Sequence, residues 1–227
     1  MLTWSQIVDY KNMSSQLNKN FVRICAETLP IQEPIYEFGS LQVEGKFADL
    51  RPYFPEKKYV GADMREGLGV DVILNLHNID LPDKSVGTVI VLSTLEHVEF
   101  ARKAVEEAHR ILKPNGVLII SSVMNFPIHD YPSDYWRFTP EGFKSLLRPF
   151  ETSFVEFVGE KSFPHTIVGV GIKGIISVGD EFVERIKQMK ADARYDLVYL
   201  IKSIAPPFLV PTLRKIYNKS KFCGGWN

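Results

Sequence analysis

Residues 86–122 read VGTVIVLSTLEHVEFARKAVEEAHRILKPNGVLIISS, and this stretch decides the fold. Its two apolar runs, at 88–92 and 117–120, are rich in valine and isoleucine, which is typical of strands buried on both faces. Between the runs, apolar residues recur at helical spacing, and Pro114 with Asn115-Gly116 predicts the end of the helix. The apolar positions are Ala104, Val105, Ala108, Ile111 and Leu112. A crossover of this length joins parallel strands, so the stretch predicts a strand, helix, strand unit of an α/β sheet. In such a sheet the ligand crevice lies where the first strand meets its helix.

Further elements are predicted on both sides of this unit. The expected strands lie at 35–38, 58–63, 71–76, 151–158 and 166–174, and the expected helices at 15–29, 47–54, 140–147 and 180–200. Strands that alternate with helices and end in a late pair predict an α/β three-layer sandwich. We expect one domain over 1–227. Its core at 30–176 lies between an N-terminal helical cap at 1–29, with Ser14-Ser15 as the helix cap, and a helical appendage at 177–227.

The composition excludes several classes of protein. Lysine plus arginine equals aspartate plus glutamate at 27 each, so no net positive charge attracts nucleic acid. The two cysteines, Cys25 and Cys223, lie far apart and lack the spacing of a zinc site. The amino terminus lacks a secretory signal, and the apolar segments are too short to cross a bilayer. We therefore expect a cytoplasmic protein.

Two short motifs at predicted strand ends indicate a nucleotide-type cofactor. Glu37-Phe38-Gly39 ends the first strand, and glycine allows the chain to approach a ligand closely. Gly61-Ala62-Asp63 ends the second strand, where a carboxylate can accept hydrogen bonds from ribose hydroxyls. Alternatively, Asp63 only caps a turn. The chain contains no G-x-G-x-x-G and no Walker loop, so a pyrophosphate has no evident site. A cofactor with adenosine but no phosphates, S-adenosylmethionine, fits better.

At this point the chain resembles the class I S-adenosylmethionine-dependent methyltransferases of the type 11-like group. The resemblance rests on LEHV after the fourth strand and on RILKPNG after the later helix, and it covers residues 34–174. It implies a Rossmann-like, mostly parallel seven-stranded sheet with a late antiparallel strand. It also implies an enzyme that converts S-adenosylmethionine to S-adenosylhomocysteine. The chain departs from the family at 40–43, where Ser-Leu-Gln-Val replaces the usual small residues.

The resemblance also implies roles for particular residues. Glu37 and Gly39 match the motif beneath the methionine part of the cofactor, and Asp63 matches the ribose-binding acid. Residues 77–80 match the loop beside adenine, where Asn78 can meet the exocyclic amine, and 93–95 match the wall facing the methyl group. The candidate cofactor-binding residues are Glu37, Gly39, Ser40, Asp63, Met64, His77, Asn78, Ser93, Thr94 and Leu95.

The loop at 124–143 is the predicted reacting end, because it concentrates titratable and aromatic side chains. The candidate catalytic residues are His129, Asp134 and Tyr135, and the candidate substrate-binding residues are Glu96, His97, Tyr131, Trp136 and Arg137. His129 is a possible general base, since its ordinary pKa lies near neutrality, and Asp134 can orient it or bind the acceptor. Arg137 can hold an anionic group. The alternative is structural: Trp136 and Phe138 lie in the core and Arg137 pairs with an acid.

One further local feature is predicted from the sequence, and two others keep two interpretations each. Thr139, Pro140 and Glu141 match a helix cap, a first-turn proline and an acidic first turn. Glu96 and His97 either touch substrate or serve the helix dipole and the sheet edge. His77 is either part of the cofactor wall or buried packing. No metal site is predicted, because no second ligand lies at i+4 or on a paired strand.

The tail from 187 onward combines apolar positions with basic residues. This pattern fits a helix on a membrane surface or a partner, and equally a helix folded back on the sheet or across a homodimer contact. The favoured function is methylation of an oxygen or nitrogen on a small-molecule or glycan-like acceptor. A non-catalytic cofactor-binding module that partners another protein is the competing hypothesis. A nicotinamide oxidoreductase is the third, and the loop after Gly39 disfavours it.

Overall fold

The chain forms a seven-stranded sheet with helices on both faces. The computed structural model describes residues 4–43, 45–126, 128–129 and 133–194. The helices are α1 (Trp4–Thr28), α2 (Ala101–Ile111), α3 (Pro140–Leu146) and α4 (Asp180–Arg194). The strands are β1 (Ile35–Phe38), β2 (Tyr59–Asp63), β3 (Val72–Ile73), β4 (Val86–Leu92), β5 (Leu112–Val123), β6 (Thr152–Glu160) and β7 (Phe163–Ile172). Short 3-10 helices occupy Gly45–Ala48, Arg51–Tyr53 and Leu95–His97.

The sheet is mostly parallel, as predicted. Its strand order is β3-β2-β1-β4-β5-β7-β6. Strand β7 runs antiparallel to both of its neighbours, β5 and β6, while the other pairs are parallel. The three-layer α/β architecture with one late antiparallel strand is therefore confirmed.

The central strands are buried on both faces, which explains their continuous apolar runs. Val89 and Val91 of β4 lie in the cluster that includes α2 and α3, whereas Ile90 lies in the cluster that includes α1 and α4. In β5, Leu118 and Ile119 are divided between the same two clusters. Side chains alternate between faces along a strand, so each central strand contributes to two separate cores.

Several element bounds differ from the predicted ones. Helix α1 begins at Trp4 rather than at residue 15, because neither glycine nor proline interrupts 4–28, and the Ser14-Ser15 pair lies inside it. Helix α2 ends at Ile111, three residues before Pro114, and Asn115 then adopts a φ of +62° within the segment that pairs as β5. The expected helix at 47–54 is two 3-10 turns.

The late elements follow the prediction more closely. Thr139 caps α3, and its hydroxyl accepts a hydrogen bond from the Gly142 backbone N–H at 3.0 Å. Helix α4 reaches Arg194, and the rest of the predicted helix and the basic tail lie outside the described residues. Within the described ranges, the helices are too short or too polar to span a bilayer.

Two connections leave the sheet in opposite directions and open a crevice between β1 and β4. The chain from β1 to β2 crosses on the face of α1, where Leu50 and Phe54 join its cluster. The chain from β4 to β5 crosses on the other face through α2. Where neighbouring parallel strands connect to opposite sides, their carboxyl ends leave a ligand crevice. Functional residues are therefore expected after Phe38 and after Leu92.

Candidate active site

A cavity of about 580 Å³ lies at this crevice. Its volume falls within the range of roughly 300 to 1,000 Å³ that is usual for small-molecule sites. It brings together ten of the residues selected from the sequence. They are Glu37, Gly39, Asp63, Met64, His77, Ser93, Thr94, Glu96, His97 and His129. The carboxyl ends of β1, β2 and β4 thus share one cavity with the loop after β5.

The floor of the cavity depends on a close approach between two loops. Gly39 has a φ of +81°, and a Cβ built there would lie 2.1 Å from Thr94 Oγ1. Only glycine fits, because both the backbone conformation and the space exclude a side chain. The turn after β1 can therefore lie directly against the turn after β4.

Glu37 is a half-buried carboxyl group that lines the cavity. Tyr59 donates a hydrogen bond from its hydroxyl to Glu37 Oε2 at 2.7 Å. Burial raises the pKa of Glu37 from 4.5 to about 7, although the Tyr59 hydrogen bond and the charge of Arg51 act against this rise. Near neutral pH, a nearby charge can therefore decide whether the Glu37 carboxyl group is protonated or ionised.

Asp63 caps a turn and also lines the cavity. Its Oδ1 accepts hydrogen bonds from the backbone N–H of Arg65 at 3.0 Å and from Arg65 Nε at 3.2 Å, which is a turn-capping geometry. Its side chain is 8% exposed and lines the cavity. Among the described residues, no donor occupies Oδ2, so the carboxylate retains a hydrogen-bond acceptor for a ligand.

The loop after β3 supplies a more apolar wall than expected. Leu74, Asn75, Leu76 and His77 line the cavity, whereas Asn78 does not. His77 is held in place because its Nε2 accepts a hydrogen bond from the Phe100 backbone N–H at 3.1 Å. Asn75 Oδ1 accepts from the His77 backbone N–H at 2.9 Å. The loop is therefore a fixed, largely apolar wall with one amide group.

Ser40 and Leu95 also lie outside the lining. Ser40 is 3% exposed, and its hydroxyl has no hydrogen-bond partner among the described residues. Leu95 is 1% exposed and belongs to the core on the α2 face. Both residues are therefore buried beside the cavity without lining it.

A polar network connects α1 to the ends of β4 and β5. Asn18 donates from Nδ2 to Ser93 Oγ at 3.0 Å, and its Oδ1 accepts from the Ser121 hydroxyl at 2.8 Å. Ser93 has a φ of +44°, a conformation that is uncommon outside glycine and that concentrates at functional sites. The N-terminal helix therefore closes one side of the cavity.

Glu96 and His97 enter the cavity from the 3-10 helix after β4. Glu96 is 1% exposed, and the Ser122 hydroxyl donates to its Oε2 at 2.6 Å. Burial raises the pKa of Glu96, although the Ser122 hydrogen bond opposes this effect. His97 donates from Nδ1 to the Ser133 carbonyl at 2.7 Å, since a carbonyl oxygen can only accept.

His129 reaches the cavity from the loop after β5. Its ring lies edge to face with that of His97, with centroids 4.6 Å apart. Asp134 Oδ2 lies 3.2 Å from His129 Nδ1 and accepts a hydrogen bond from the His129 backbone N–H at 2.8 Å. Burial raises the pKa of Asp134, but hydrogen bonds from Arg137 and from His129 outweigh it and lower the pKa to about 2. An ionised carboxylate therefore lies against the imidazole.

The remaining loop residues surround the cavity rather than line it. Arg137 binds both carboxylate oxygens of Asp134, with Nη2 at 2.6 Å from Oδ2, so its guanidinium is paired with an acid. Trp136 donates from Nε1 to the Val98 carbonyl at 3.0 Å and is 45% exposed. Tyr135 is 46% exposed. Tyr131 lies outside the described residues.

Sequence reasoning missed several residues that line the cavity. They include Asn18, Lys19, Leu41, Leu74, Asn75 and Phe126. The helical spacing of apolar residues in α1 predicts which face of the helix is buried. It does not predict a functional role for the polar Asn18 beside that face. The apolar residues carry no such signal either, because a leucine in a cavity wall and a leucine in a core look alike in sequence.

Comparison with known proteins identifies the fold and the domain. A family model for a methyltransferase domain matches residues 50–120. A S-adenosylmethionine-dependent methyltransferase from Thermotoga maritima, a possible histamine N-methyltransferase, matches with a TM-score of 0.51 and 20% identity. The match covers 74% of this chain and 97% of that one. A S-adenosylmethionine-dependent methyltransferase from Archaeoglobus fulgidus matches with a TM-score of 0.55 and 16% identity, over 70% of this chain and 94% of that one.

A third solved structure shares the fold in a complex. It is a complex between the Haloferax volcanii Trm112 methyltransferase activator and a putative methyltransferase. The similarity has a TM-score of 0.52 and 14% identity, over 75% of this chain and 96% of that one. No curated protein matches the sequence significantly. These structural similarities lie below 25% identity and establish the fold.

The strand order and the structural similarities show that the chain has the fold of S-adenosylmethionine-dependent methyltransferases, with a cavity at the switch between β1 and β4. The methyltransferase-domain model matches it over residues 50–120, which include β2, β3, β4, α2 and most of β5.

The raised pKa of Glu37 predicts a specific pH dependence of stability. Between pH 4.5 and about 7, the folded protein holds a proton on Glu37 that the unfolded chain releases. The free energy of unfolding should therefore fall by about 3 kcal/mol as pH rises through this range, relative to a Glu37→Gln variant. Urea unfolding of both cofactor-free proteins at a series of pH values measures the difference. Parallel pH profiles for the two proteins would contradict the assignment.

Proposed function

We propose that this enzyme methylates an oxygen or nitrogen atom of a small-molecule or glycan-like acceptor that enters beneath the loop at 124–143. The observation that supports this proposal is a single cavity that reaches from Asp63 at one end to His129 at the other. A methyl transfer needs both partners in one space from which water is excluded, because alignment supplies much of the rate acceleration.

The cofactor end of the cavity fits an adenosine cofactor without phosphates. The Asp63 carboxylate, which lines the cavity, suits ribose hydroxyls, and the leucines at 74 and 76 suit the adenine face. Glu37 suits the ammonium group of a methionine, whose positive charge favours the ionised carboxylate. Gly39 lets the turn after β1 lie against Thr94, which lines the same cavity. When bound, the cofactor supplies a sulfonium methyl group as the electrophile.

At the reacting end, His129 is the proposed general base. The ionised Asp134 beside Nδ1 favours the tautomer that carries its proton there, which leaves the basic lone pair on Nε2. Arg137 acts as a positioning residue, because its two bonds hold the Asp134 carboxylate in place. A base in this position removes the proton from an acceptor hydroxyl or amine as the new bond to carbon forms.

The exposed aromatic side chains of the loop at 124–143 support an acceptor with a flat or sugar-like face. Tyr135 and Trp136 are both about half exposed, and Trp136 is anchored by its bond to the Val98 carbonyl. Exposed, anchored aromatic rings present rigid contact area at little entropic cost. We therefore assign these two side chains to the acceptor rather than to the cofactor.

Titration calorimetry with S-adenosylhomocysteine tests the cofactor end. The wild-type protein should bind one equivalent, and Asp63→Ala should weaken binding by about ten- to hundredfold, because a hydrogen bond to a charged acceptor contributes about 1.5 to 3 kcal/mol. Asp83→Ala is the matched control, since Asp83 is an exposed aspartate paired with Arg110 away from the cavity. Absence of binding by the wild-type protein, or equal loss in both variants, would refute the proposed cofactor site.

Kinetic analysis of His129→Gln tests the reacting end. A panel of hydroxyl and amine acceptors is incubated with S-adenosylmethionine, and S-adenosylhomocysteine is detected by mass spectrometry. With any acceptor that turns over, the variant should be slower by about 10²- to 10⁴-fold while S-adenosylhomocysteine affinity is retained. An unchanged rate in His129→Gln would exclude a base role for this residue.

A further inference from the structure

Glu96, His97 and His129 form a cluster that the sequence does not reveal. One ligand atom from each side chain lies within 4.8 Å of those of the other two. The sequence predicted no metal site, because no second ligand occurs at i+4 or on a paired strand. The structure supplies the third group from a different place, since the loop after β5 returns His129 to the 3-10 helix that carries the other two.

Each member of the cluster is oriented by a second group, as in metal sites. His97 donates its Nδ1 proton to the Ser133 carbonyl, and His129 Nδ1 faces the Asp134 carboxylate at 3.2 Å. The Ser122 hydroxyl fixes one oxygen of Glu96. Histidine ligands of metals characteristically donate their other ring N–H to a carbonyl or a carboxylate, which sets the tautomer and the ring orientation.

The charge of Glu96 provides an independent reason for a cation. Its carboxylate is 1% exposed, and among the described residues no lysine or arginine lies within 4.0 Å of it, although the charge of Arg137, which is paired with Asp134, acts on it from a greater distance. A buried carboxylate without a paired cation is costly in free energy. A divalent ion that uses the same oxygens would offset that cost.

We propose that Glu96 with His97 Nε2 and His129 Nε2 binds one divalent first-row transition metal ion at the acceptor end of the cavity. Two imidazoles and a carboxylate suit zinc, iron, cobalt or nickel better than magnesium or calcium. Ligand nitrogens around zinc lie about 3.3 Å apart in a tetrahedral site. Binding therefore draws the three side chains closer together by small rotations.

The position of the ion gives it a role that rests on the proposed function. An ion held by these three groups faces the part of the cavity where an acceptor oxygen enters, and a Lewis acid there lowers the pKa of a hydroxyl. The bound ion would use the Nε2 lone pair of His129, which general-base catalysis also needs. The ion and the histidine base are thus alternative means of activating the same acceptor.

Titration with Co²⁺ after treatment with a chelator tests the site. The wild-type protein should bind one equivalent and develop visible absorption bands of a coordinated cobalt ion. Glu96→Gln and His97→Gln should each abolish these bands, and Ser122→Ala should weaken Co²⁺ binding by about ten- to hundredfold. His109→Gln should bind as the wild type does, because His109 lies against Phe150 outside the cluster.

The outcomes separate this inference from the proposed function. Absence of stoichiometric Co²⁺ binding by the wild-type protein, or retention of the bands in both Glu96→Gln and His97→Gln, would overturn the metal site. S-adenosylhomocysteine binding is measured on the same samples. Cobalt binding without S-adenosylhomocysteine binding would support the site and refute the cofactor proposal instead.

Discussion

The close contact between Gly39 and Thr94 is the constraint on which the rest of the site depends. It joins the turn after β1 to the turn after β4, at the point where the two crossovers leave on opposite faces of the sheet. With it, Glu37 and His129 border one cavity of about 580 Å³.

The second constraint is the burial of acidic groups at the same sheet edge. Glu37 and Glu96 both have raised pKa values because of burial, and each has a single hydroxyl partner, from Tyr59 and Ser122 respectively. Two carboxyl groups in this state weaken the cofactor-free protein, and cations stabilise it. The proposed methionine ammonium and the proposed metal ion would each be complementary to one of these carboxylates.

The fold was predictable from the sequence where the pattern is continuous. Patterns among residues close in sequence predict β4 and β5, from their valine-rich runs, and α2, from its helical spacing. The same is true of the Thr139 cap. The predicted start of the first helix at residue 15 was wrong, because the Ser14-Ser15 pair resembles a helix cap although no glycine or proline interrupts 4–28. The assignments of Glu37, Gly39 and Asp63 depended on strand ends, which are also local.

The site was less predictable because long-range contacts assemble it. Asn18 reaches Ser93 across 75 residues, and His129 meets His97 only through the path of the loop. The pairing of Arg137 with Asp134 was one of two open interpretations, since a guanidinium beside an acid in sequence fits either a ligand or an ion pair. Side-chain geometry decides such cases, and a single sequence does not encode it in any local pattern.

The central claim is that one cavity between β1 and β4 holds the cofactor with its reacting end toward His129. A crystal structure of the protein with S-adenosylhomocysteine tests this most directly. We expect the ribose hydroxyls to lie at Asp63, the adenine between Leu74 and Leu76, and the sulfur toward Thr94. Density for the ligand outside this cavity, or with the adenine at the His129 end, would contradict it.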